Sequence, residues 1–476
     1  MTTGPRHSRI SGTPARPIVL LVVAAALVVM GVVSASTQPS NPTPQATSVA
    51  QVGVGGESTA LYCGGLENVR GKVASDVAIA DIASTARDVE VTTTNEIGQV
   101  AHKLLAVHPG LVRLLNPATM VGGSVEAVSL VARDGGVAAT EAVRGTNGTA
   151  VAPCLTRAAP SWWLTGGSTH KGQSFILSIF NPYASTAVVS VTFETPAGTL
   201  VPQVYQGIVL GPHQLAALNV HRVEPDDSPI TTIVTASQGD VVVYGVGRST
   251  TGGASTSLVP GNATLARSLY LPIGHSLKGW TNQLLVSNPG FGATRVSVAV
   301  RVPSVRSPSG FLAPFTFTLG GRSTAALTTS PSTRVPFGVP MQTWVSAAPG
   351  GVVIVQRVTT AGTEGQNAPI DDPAPTSSTN LALVNPLLSG FTVVGVMNLS
   401  DATMHLTVRT VTPHGEVQVG ATYTLGPRGS IRLGPGALRG VVGDVVLLGS
   451  DQPMSASGQV AGALIGSDIL VAVPLR

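Results

Sequence analysis

One short string in the 476-residue chain contains the residue types of a serine nucleophile. Gly274-His275-Ser276-Leu277-Lys278-Gly279 approaches the Gly-x-Ser-x-Gly elbow of serine hydrolases, but Lys278 adds a residue and breaks the spacing. The elbow also requires a turn from a strand into a helix, and no helical pattern follows the string. We therefore interpret it as a loop between strands.

Acidic and histidine residues give no pattern that binds a metal ion. Glu224-Pro225-Asp226-Asp227 and Asp371-Asp372-Pro373 offer oxygen ligands, but each lacks the further ligands that a calcium site needs nearby. The nine histidines show neither His-x-His nor Glu-x-x-His spacing, which zinc sites would favour. We expect no metal, no cofactor and no catalytic residue, so the protein is predicted not to be an enzyme.

Three tryptophans are candidates for contact with a carbohydrate, because exposed aromatic rings pack on the faces of pyranose sugars. They are Trp162, Trp163 and Trp280, with Tyr270 nearby in the sequence. The competing interpretation is that they pack inside or between domains, since aromatic side chains bury large areas. Packing is favoured, and stacking on a glycan is the alternative.

The N-terminal sequence predicts export. Residues 1–17 form a basic tail, and residues 18–35 form an apolar segment without charge, close to the length of about 17–20 residues that a membrane-spanning helix needs. The basic tail places the N-terminus in the cytoplasm. The segment is either a single-pass transmembrane anchor that leaves the remaining chain extracytoplasmic, or a signal peptide cleaved near Ala35 that leaves a secreted protein. Residues 36–58, rich in Pro, Ser and Thr, are predicted to be a flexible linker.

The charge distribution argues against a nucleic-acid partner. The net charge is +4, but Arg6, Arg9 and Arg16 lie in the basic tail, so the remaining chain is close to neutral. No basic patch with interleaved aromatic residues follows, as binding to a phosphate backbone would require. We therefore expect no nucleic-acid partner, and the membrane is predicted as a partner through the apolar N-terminal segment.

Cys63 and Cys154 are the only cysteines in the chain. Export places them in an oxidising compartment, where an even number of cysteines favours a disulfide. Closing a loop of this length stabilises a fold by about 4–5 kcal/mol in the chain-entropy treatment. A metal site would need further ligands, and two isolated cysteines do not suit a catalytic thiol.

The chain contains four internal repeats. Each has an apolar run, a turn pair, a few small polar residues and then an alternating strand, and the units recur about every 100–110 residues. The turn pairs are Asp81-Ile82, Asn181-Pro182, Asn288-Pro289 and Asn398-Leu399. A second motif follows about 30 residues after each, at Val107-His108-Pro109, Leu210-Gly211-Pro212, Leu319-Gly320-Gly321 and Leu425-Gly426-Pro427. Because two motifs recur together, the repeating unit is a domain.

Apolar residues alternate with polar ones within each unit, for example at Val189, Val191 and Phe193, which is typical of half-buried antiparallel strands. About seven strands per unit predict tandem immunoglobulin-like β-sandwiches in an all-β protein, with a β-propeller as the alternative. The predicted domains are the tail 1–17, the segment 18–35, the linker 36–58 and four repeats at 59–158, 159–268, 269–376 and 377–476.

These motifs resemble a family of exported actinobacterial proteins that is catalogued only as a domain of unknown function. The resemblance is carried by Cys63-Gly64-Gly65, Cys154, the stretch from Trp163 to Thr169, and Asn181-Pro182. It implies a location in the cell envelope and transfers no activity or catalytic residue.

The sequence therefore predicts a non-catalytic scaffold or protein-interaction protein of the cell envelope, since the repeats contain no reactive polar cluster. Two alternatives are open: a protein that binds cell-wall carbohydrate through the three tryptophans, and an accessory subunit of an envelope enzyme.

Overall fold

The computed structural model describes residues 59–474, except 70–71, 146–147, 250–254, 277, 303–309, 331, 362–369, 374–377, 389–390, 415–416, 439–443, 461–467 and 472. The predicted tail, membrane segment and linker lie outside these residues. No helix within the described part of the chain is long and apolar enough to cross a membrane. The described residues belong to one compact unit, 52–476.

Repeat 1 consists of two four-stranded antiparallel sheets. Its strands are β1 (Thr59–Glu67), β2 (Val73–Asp81), β3 (Arg87–Asn95), β4 (Val100–Val107), β5 (Val112–Leu115), β6 (Val125–Ala132), β7 (Val137–Gly145) and β8 (Gly148–Pro153), with a 3-10 turn at Pro117–Thr119. The strand orders are β1-β6-β3-β4 and β5-β2-β7-β8. Side chains between the sheets, including Ile79, Val91 and Leu130, form one buried cluster.

Repeat 2 has the same two sheets, with its fourth strand in two pieces. Its strands are β9 (Ser161–Gly167), β10 (Gln173–Phe180), β11 (Ala187–Thr195), β12 (Gly198–Leu200), β13 (Ile208–Leu210), β14 (Leu215–Asn219), β15 (Ile230–Gln238), β16 (Val242–Ser249) and β17 (Ser255–Pro260), with 3-10 turns at Gln203–Tyr205 and Val220–Arg222. The orders are β9-β15-β11-β12, with β13 also on β11, and β14-β10-β16-β17. Val189, Val191 and Phe193 are fully buried between the sheets, as their alternation predicts.

Repeat 3 adds a two-stranded ribbon to this plan. Its strands are β18 (Ser268–Leu271), β19 (His275–Ser276), β20 (Trp280–Asn288), β21 (Thr294–Arg301), β22 (Phe315–Leu319), β23 (Ser323–Ser330), β24 (Val339–Pro340), β25 (Gln342–Ala347), β26 (Ile354–Ala361) and β27 (Ile370–Pro373). The sheets are β18-β25-β21-β22 and β23-β20-β26-β27, and β19 pairs with β24.

Repeat 4 joins its two sheets through one long strand. Its strands are β28 (Ser378–Val384), β29 (Phe391–Asn398), β30 (Met404–Val411), β31 (Val417–Leu425), β32 (Ser430–Leu433), β33 (Val445–Val460), β34 (Asp468–Val471) and β35 (Val473–Pro474). The first part of β33 pairs with β28 and β30, and its last part pairs with β29 and β34. The single strand β33 therefore fills the sixth and seventh positions.

All four repeats share one strand order. Numbering the positions 1 to 8 within a repeat, one sheet has the order 1-6-3-4 and the other 5-2-7-8. The predicted all-β class is confirmed for the described residues. Each repeat has eight strand positions instead of the seven predicted, and position 2 lies between 5 and 7. This order differs from the ABED and CFG sheets of an immunoglobulin domain.

A repeated asparagine explains why the two sequence motifs recur together. The Nδ2 group of Asn181 donates to the Gly211 carbonyl at 2.9 Å, and Asn288 and Asn398 make the same bond to Gly320 and Gly426. Each asparagine thus fixes the end of strand 2 to the turn after strand 4 in its own repeat. Repeat 1 has Asp81 at this position, which accepts a hydrogen bond from the Ala83 amide (2.8 Å) as the asparagines do from their own second following amide, but has no amide group to donate.

The four repeats form a closed ring. The 1-6-3-4 sheet of each repeat packs against the 5-2-7-8 sheet of the next, through Tyr62 and Phe180 between repeats 1 and 2, and through Ala382 and Ala78 between repeats 4 and 1. The last strands β8, β17, β27 and β34 lie next to one another in the same cyclic order. We call each contact between neighbouring repeats a seam, numbered by its repeats.

The ring of repeats is similar to the predicted β-propeller alternative in how its sheets pack, but it differs in how each sheet is built. Four-stranded sheets pack face to face around the ring, as propeller blades do. Each sheet, however, combines strands from both halves of a repeat, whereas a blade is built from consecutive strands. Sheets buried on both faces need nearly continuous apolar strands. Residues 77–81 at the end of β2 are all buried for this reason.

Candidate functional site

The predicted disulfide is present. Cys63 in β1 is bonded to Cys154, which directly follows β8, so the bridge joins the first and last strands of repeat 1. Beside it, Tyr62 and Leu155 exchange two backbone hydrogen bonds of 2.8 and 2.7 Å. The bridge and this pair hold the entry and exit of repeat 1 together.

Tyr244 of repeat 2 enters repeat 1 next to this disulfide. Its hydroxyl lies 3.0 Å from the Tyr62 carbonyl and 2.9 Å from the Pro153 carbonyl, and it accepts a hydrogen bond from the Leu155 amide at 3.1 Å. The aromatic side chain of Tyr244 is fully buried in seam 1–2. One side chain therefore connects repeat 2 to three backbone groups that flank the bridge.

Glycine pairs in the first strands make room for these contacts. A Cβ atom at Gly64 would lie 2.8 Å from the Tyr244 ring, and a Cβ atom at Gly166 would lie 2.3 Å from Gln356 of repeat 3. The pairing of β1 with β6 also shifts register at this point. The glycines of Cys63-Gly64-Gly65 and Thr165-Gly166-Gly167 thus accept a side chain of the following repeat.

Glu141 lies beneath the first glycine pair. Its side chain is inaccessible to solvent and accepts a hydrogen bond from the Gly65 amide at 3.2 Å. Burial raises the pKa of Glu141 well above the ordinary value, and burial also raises the pKa of Tyr244 beside it. Glu141 and Tyr244 are therefore buried neighbours in seam 1–2, each with a raised pKa.

Two further carboxyl groups lie at the same end of repeat 1. Glu67 forms an ion pair with Arg248 of repeat 2, yet burial raises its pKa above the ordinary value. Burial raises the pKa of Glu126 to about 7, although Asn68 donates a hydrogen bond to it. The side chains of both groups face protein groups and are fully buried. Glu67 therefore links repeat 1 to repeat 2, whereas Glu126 bonds within repeat 1.

Polar groups also join the other repeats. In seam 2–3, the hydroxyls of Thr165, Thr231, Ser287 and Thr324 bond to one another at 2.7–2.8 Å. In seam 3–4, Arg301 of repeat 3 donates to the Ser430 hydroxyl of repeat 4. Each seam therefore has its own set of polar contacts.

The three predicted tryptophans do not form one platform. Trp162 is 1% exposed, and its indole N–H lies 3.0 Å from the Ala159 carbonyl and 2.7 Å from the Val241 carbonyl. This position is explained by packing, the favoured interpretation, and leaves no ring face for a sugar. Trp163 is half-buried and follows it in β9, so the two rings point to opposite faces. Trp280 is half-buried at the start of β20.

A different aromatic cluster was not predicted from the sequence. Trp344 lies 4.8 Å from Tyr270, ring centre to ring centre, and the guanidinium of Arg428 lies 4.4 Å above the Trp344 ring. Asp401 binds Arg428 through both carboxylate oxygens, at 2.6 and 2.9 Å. The cluster spans seam 3–4. In the sequence, the one signal for this aromatic cluster is the repeated motif Leu425-Gly426-Pro427, which directly precedes Arg428.

The remaining motifs have structural partners. Ser276 belongs to the short strand β19, its hydroxyl lies 2.7 Å from that of Ser330, and the described residues after it enter strand β20 instead of a helix. The backbone of the acidic turn at 224–227 is bonded to the Thr169 hydroxyl. Asp371 and Asp372 lie in β27. Across the described residues, no group of three or more His, Cys, Asp or Glu is arranged to hold a metal.

These features define an all-β protein of four repeats closed into a ring by polar and apolar seams. The chain belongs to a family of unknown function, DUF5719, whose model matches residues 124–436, about two thirds of the chain. The predicted resemblance to a domain of unknown function is therefore confirmed. No curated protein matches the chain. A similar solved structure is a tetra-tandem repeat in the extending region of a large adhesion protein, with 14% identity and a TM-score of 0.11, covering 88% of this chain and 99% of that chain.

Proposed function

We propose that the protein is a non-catalytic scaffold or protein-interaction protein of the cell envelope. Its extracytoplasmic part is the ring of four repeats, each with the two-sheet architecture of immunoglobulin-like domains. Residues 18–35 anchor it as a single pass in the cell membrane. If the segment is cleaved near Ala35, the same ring is secreted.

The edges of the sheets carry this proposal. Strand positions 4 and 5 end the sheets of every repeat and, among the described residues, pair with a strand on one side only. An unpaired edge can add a strand from a protein partner. The longest such edge in repeat 1 is β4, where Leu104 is 63% exposed. The buried carboxylates of Glu67 and Glu194, by contrast, form ion pairs with arginines of the following repeat.

Crosslinking in the native envelope tests the scaffold proposal. A photoreactive amino acid at Leu104 of the full chain is expected to capture an envelope protein. The same group at Phe337, which is 52% exposed and lies outside the strands, serves as the control. Equal capture at the two positions, or capture at neither, contradicts an interaction through β4. A mature N-terminus at Ser36 would show a secreted instead of an anchored protein.

Carbohydrate binding is the second candidate, since Trp163 and Trp280 are half-buried instead of enclosed. Retention of the full chain on purified cell-wall polysaccharide measures it. Loss of retention in both Trp163→Ala and Trp280→Ala would support stacking on a glycan. Retention that both variants keep would contradict it.

A further inference from the structure

A residue in the left-handed backbone conformation recurs at one turn in all four repeats. It follows the second sequence motif, between strand positions 4 and 5. The residues are Gly110, His213, Arg322 and Arg428, with φ of 66°, 53°, 49° and 54°. Their amides bond back to the turn after strand 2, at the carbonyls of Asp81, Tyr183, Gly290 and Ser400. Three of the four carry side chains, although a Cβ atom disfavours this conformation.

Each of these residues contacts the preceding repeat of the ring. His213 lies edge to face with His102 of repeat 1, at 6.4 Å between ring centres. Arg322 donates to Glu194 of repeat 2 at 3.0 Å. The guanidinium of Arg428 covers the Trp344 ring of repeat 3.

The glycine of repeat 1 fits the same scheme. A Cβ atom at Gly110 would lie 2.0 Å from the carbonyl oxygen of Val411 in repeat 4. Seam 4–1 therefore places backbone where the other seams place a side-chain partner. A side chain such as that of Arg322 would not fit in this seam.

We propose that this turn residue is a key that fixes the order of the repeats around the ring. The partner of the key differs in each seam: a backbone carbonyl, a histidine, a carboxylate and an aromatic ring. Repeats of one topology have similar faces and could pair in the wrong order. The differing keys favour the native neighbour and penalise the others, as specificity requires. The unfavourable backbone conformation is retained because it directs the key into the seam.

Seam 2–3 offers the sharpest test. In the full chain, hydrogen exchange is measured over β12 and β23, the edge strands on either side of this seam. Arg322→Gly relieves the left-handed backbone strain and removes the key. We expect hydrogen exchange to become about tenfold faster in both strands, because a charge-assisted hydrogen bond is lost. Glu194→Arg is expected to act likewise. The double variant Glu194→Arg with Arg322→Glu restores an ion pair and should return exchange to within about twofold of the wild type.

Leu388→Gly is the matched control, because Leu388 has φ of 54° but is 47% exposed and lies in another turn. Here glycine relieves the backbone without removing a key, so exchange at β12 and β23 should not change. The proposal is overturned if Arg322→Gly leaves exchange unchanged or slows it. It is also overturned if the double variant exchanges as fast as either single one.

Discussion

Tyr244 shows how a single hydroxyl can join two repeats. It reaches three backbone groups of repeat 1 from a position in repeat 2. Tyr205, by comparison, donates one bond to the Asn219 carbonyl within its own repeat (2.8 Å). The two tyrosines therefore differ in what their hydroxyls connect.

Tyr244→Phe is expected to lower the free energy of unfolding by about 1–3 kcal/mol, because buried backbone groups lose a partner. Tyr205→Phe should cost less, about 1 kcal/mol or below, since it breaks one bond that is partly open to water. Urea unfolding of both variants measures the difference. Equal losses would show that the hydroxyl of Tyr244 does not stabilise seam 1–2.

Asp81 gives a prediction about pH. Burial raises the pKa of Asp81 to about 6, so the folded protein binds this proton more tightly than the unfolded chain does. Its contribution to stability is full below about pH 4 and is lost as the pH rises through about 6. Asp81→Asn removes the buried charge and restores the amide found in the other repeats. The variant should match the wild type near pH 4 and exceed it by about 1–3 kcal/mol at pH 7.

The comparison is made as a difference between unfolding curves at several pH values, because other buried acids titrate too. Asp134→Asn is the control, since its carboxylate is 79% exposed. A difference between Asp81→Asn and the wild type that does not change with pH would contradict the prediction.

For single residues, the sequence predicted the disulfide but did not predict which polar side chains are buried. The even number of cysteines, together with the predicted export, was enough to predict their bond. Glu141 gave no such signal, because a lone glutamate in an apolar strand reads as a surface residue until its neighbours are known. Trp162 could be assigned to packing only by preference, since nothing in the sequence separates a core ring from an exposed one.

The turn asparagines act at the scale of the element. Asn288 donates to the Gly292 and Gly320 carbonyls, each at 2.8 Å, and accepts from the Gly290 amide at 3.0 Å. Its side chain thereby sets the path of the chain at two turns. Both motifs recur in the sequence because this contact joins the two turns in which they lie.

Asn288→Ala is expected to cost about 2–4 kcal/mol, because three partly buried hydrogen bonds are lost at once. Asn219→Ala is the comparison, since Asn219 accepts one bond from His221 at the start of a short 3-10 turn, and should cost about 1 kcal/mol. Thermal unfolding ranks the two. A smaller loss for Asn288→Ala would mean that the turn is held by other contacts.

The strands were predictable because the alternation of apolar and polar residues is a local pattern. The residues at which each strand begins and ends were harder to predict. Gln452-Pro453-Met454 contains a proline, which is uncommon inside a paired strand, yet β33 runs through it. The chain there passes from one sheet to the other. The eighth strand of each repeat was missed because its pairing depends on β7 and its equivalents, which the sequence does not place.

The scarcity of charge belongs to the whole molecule. Only 11% of residues are charged, and the sheets of the ring cover one another on both faces. The small side chains at Ala78, Ala80 and Ala138 allow the sheets of repeats 4 and 1 to approach. In sequence these alanines look like ordinary core residues. Ring closure could not be predicted, because it depends on which repeat meets which.

Deleting repeat 4 (377–476) should therefore unfold more than repeat 4. The deletion exposes the outer face of repeat 1 and removes the partner of repeat 3. We expect a chain that aggregates or unfolds at a lower temperature, and a single cooperative transition in the intact protein. Calorimetry and size-exclusion chromatography measure both. Three repeats that stay monomeric with an unchanged transition would contradict the ring as a cooperative unit.

Ring closure also limits how the gene can change. An open row of domains can gain or lose a copy by unequal recombination, and its ends simply move along. In this protein a fifth copy would have to enter between two seams and would separate Gly110 from Val411 or an equivalent pair. A change in the number of copies would therefore have to break one seam and build two new ones.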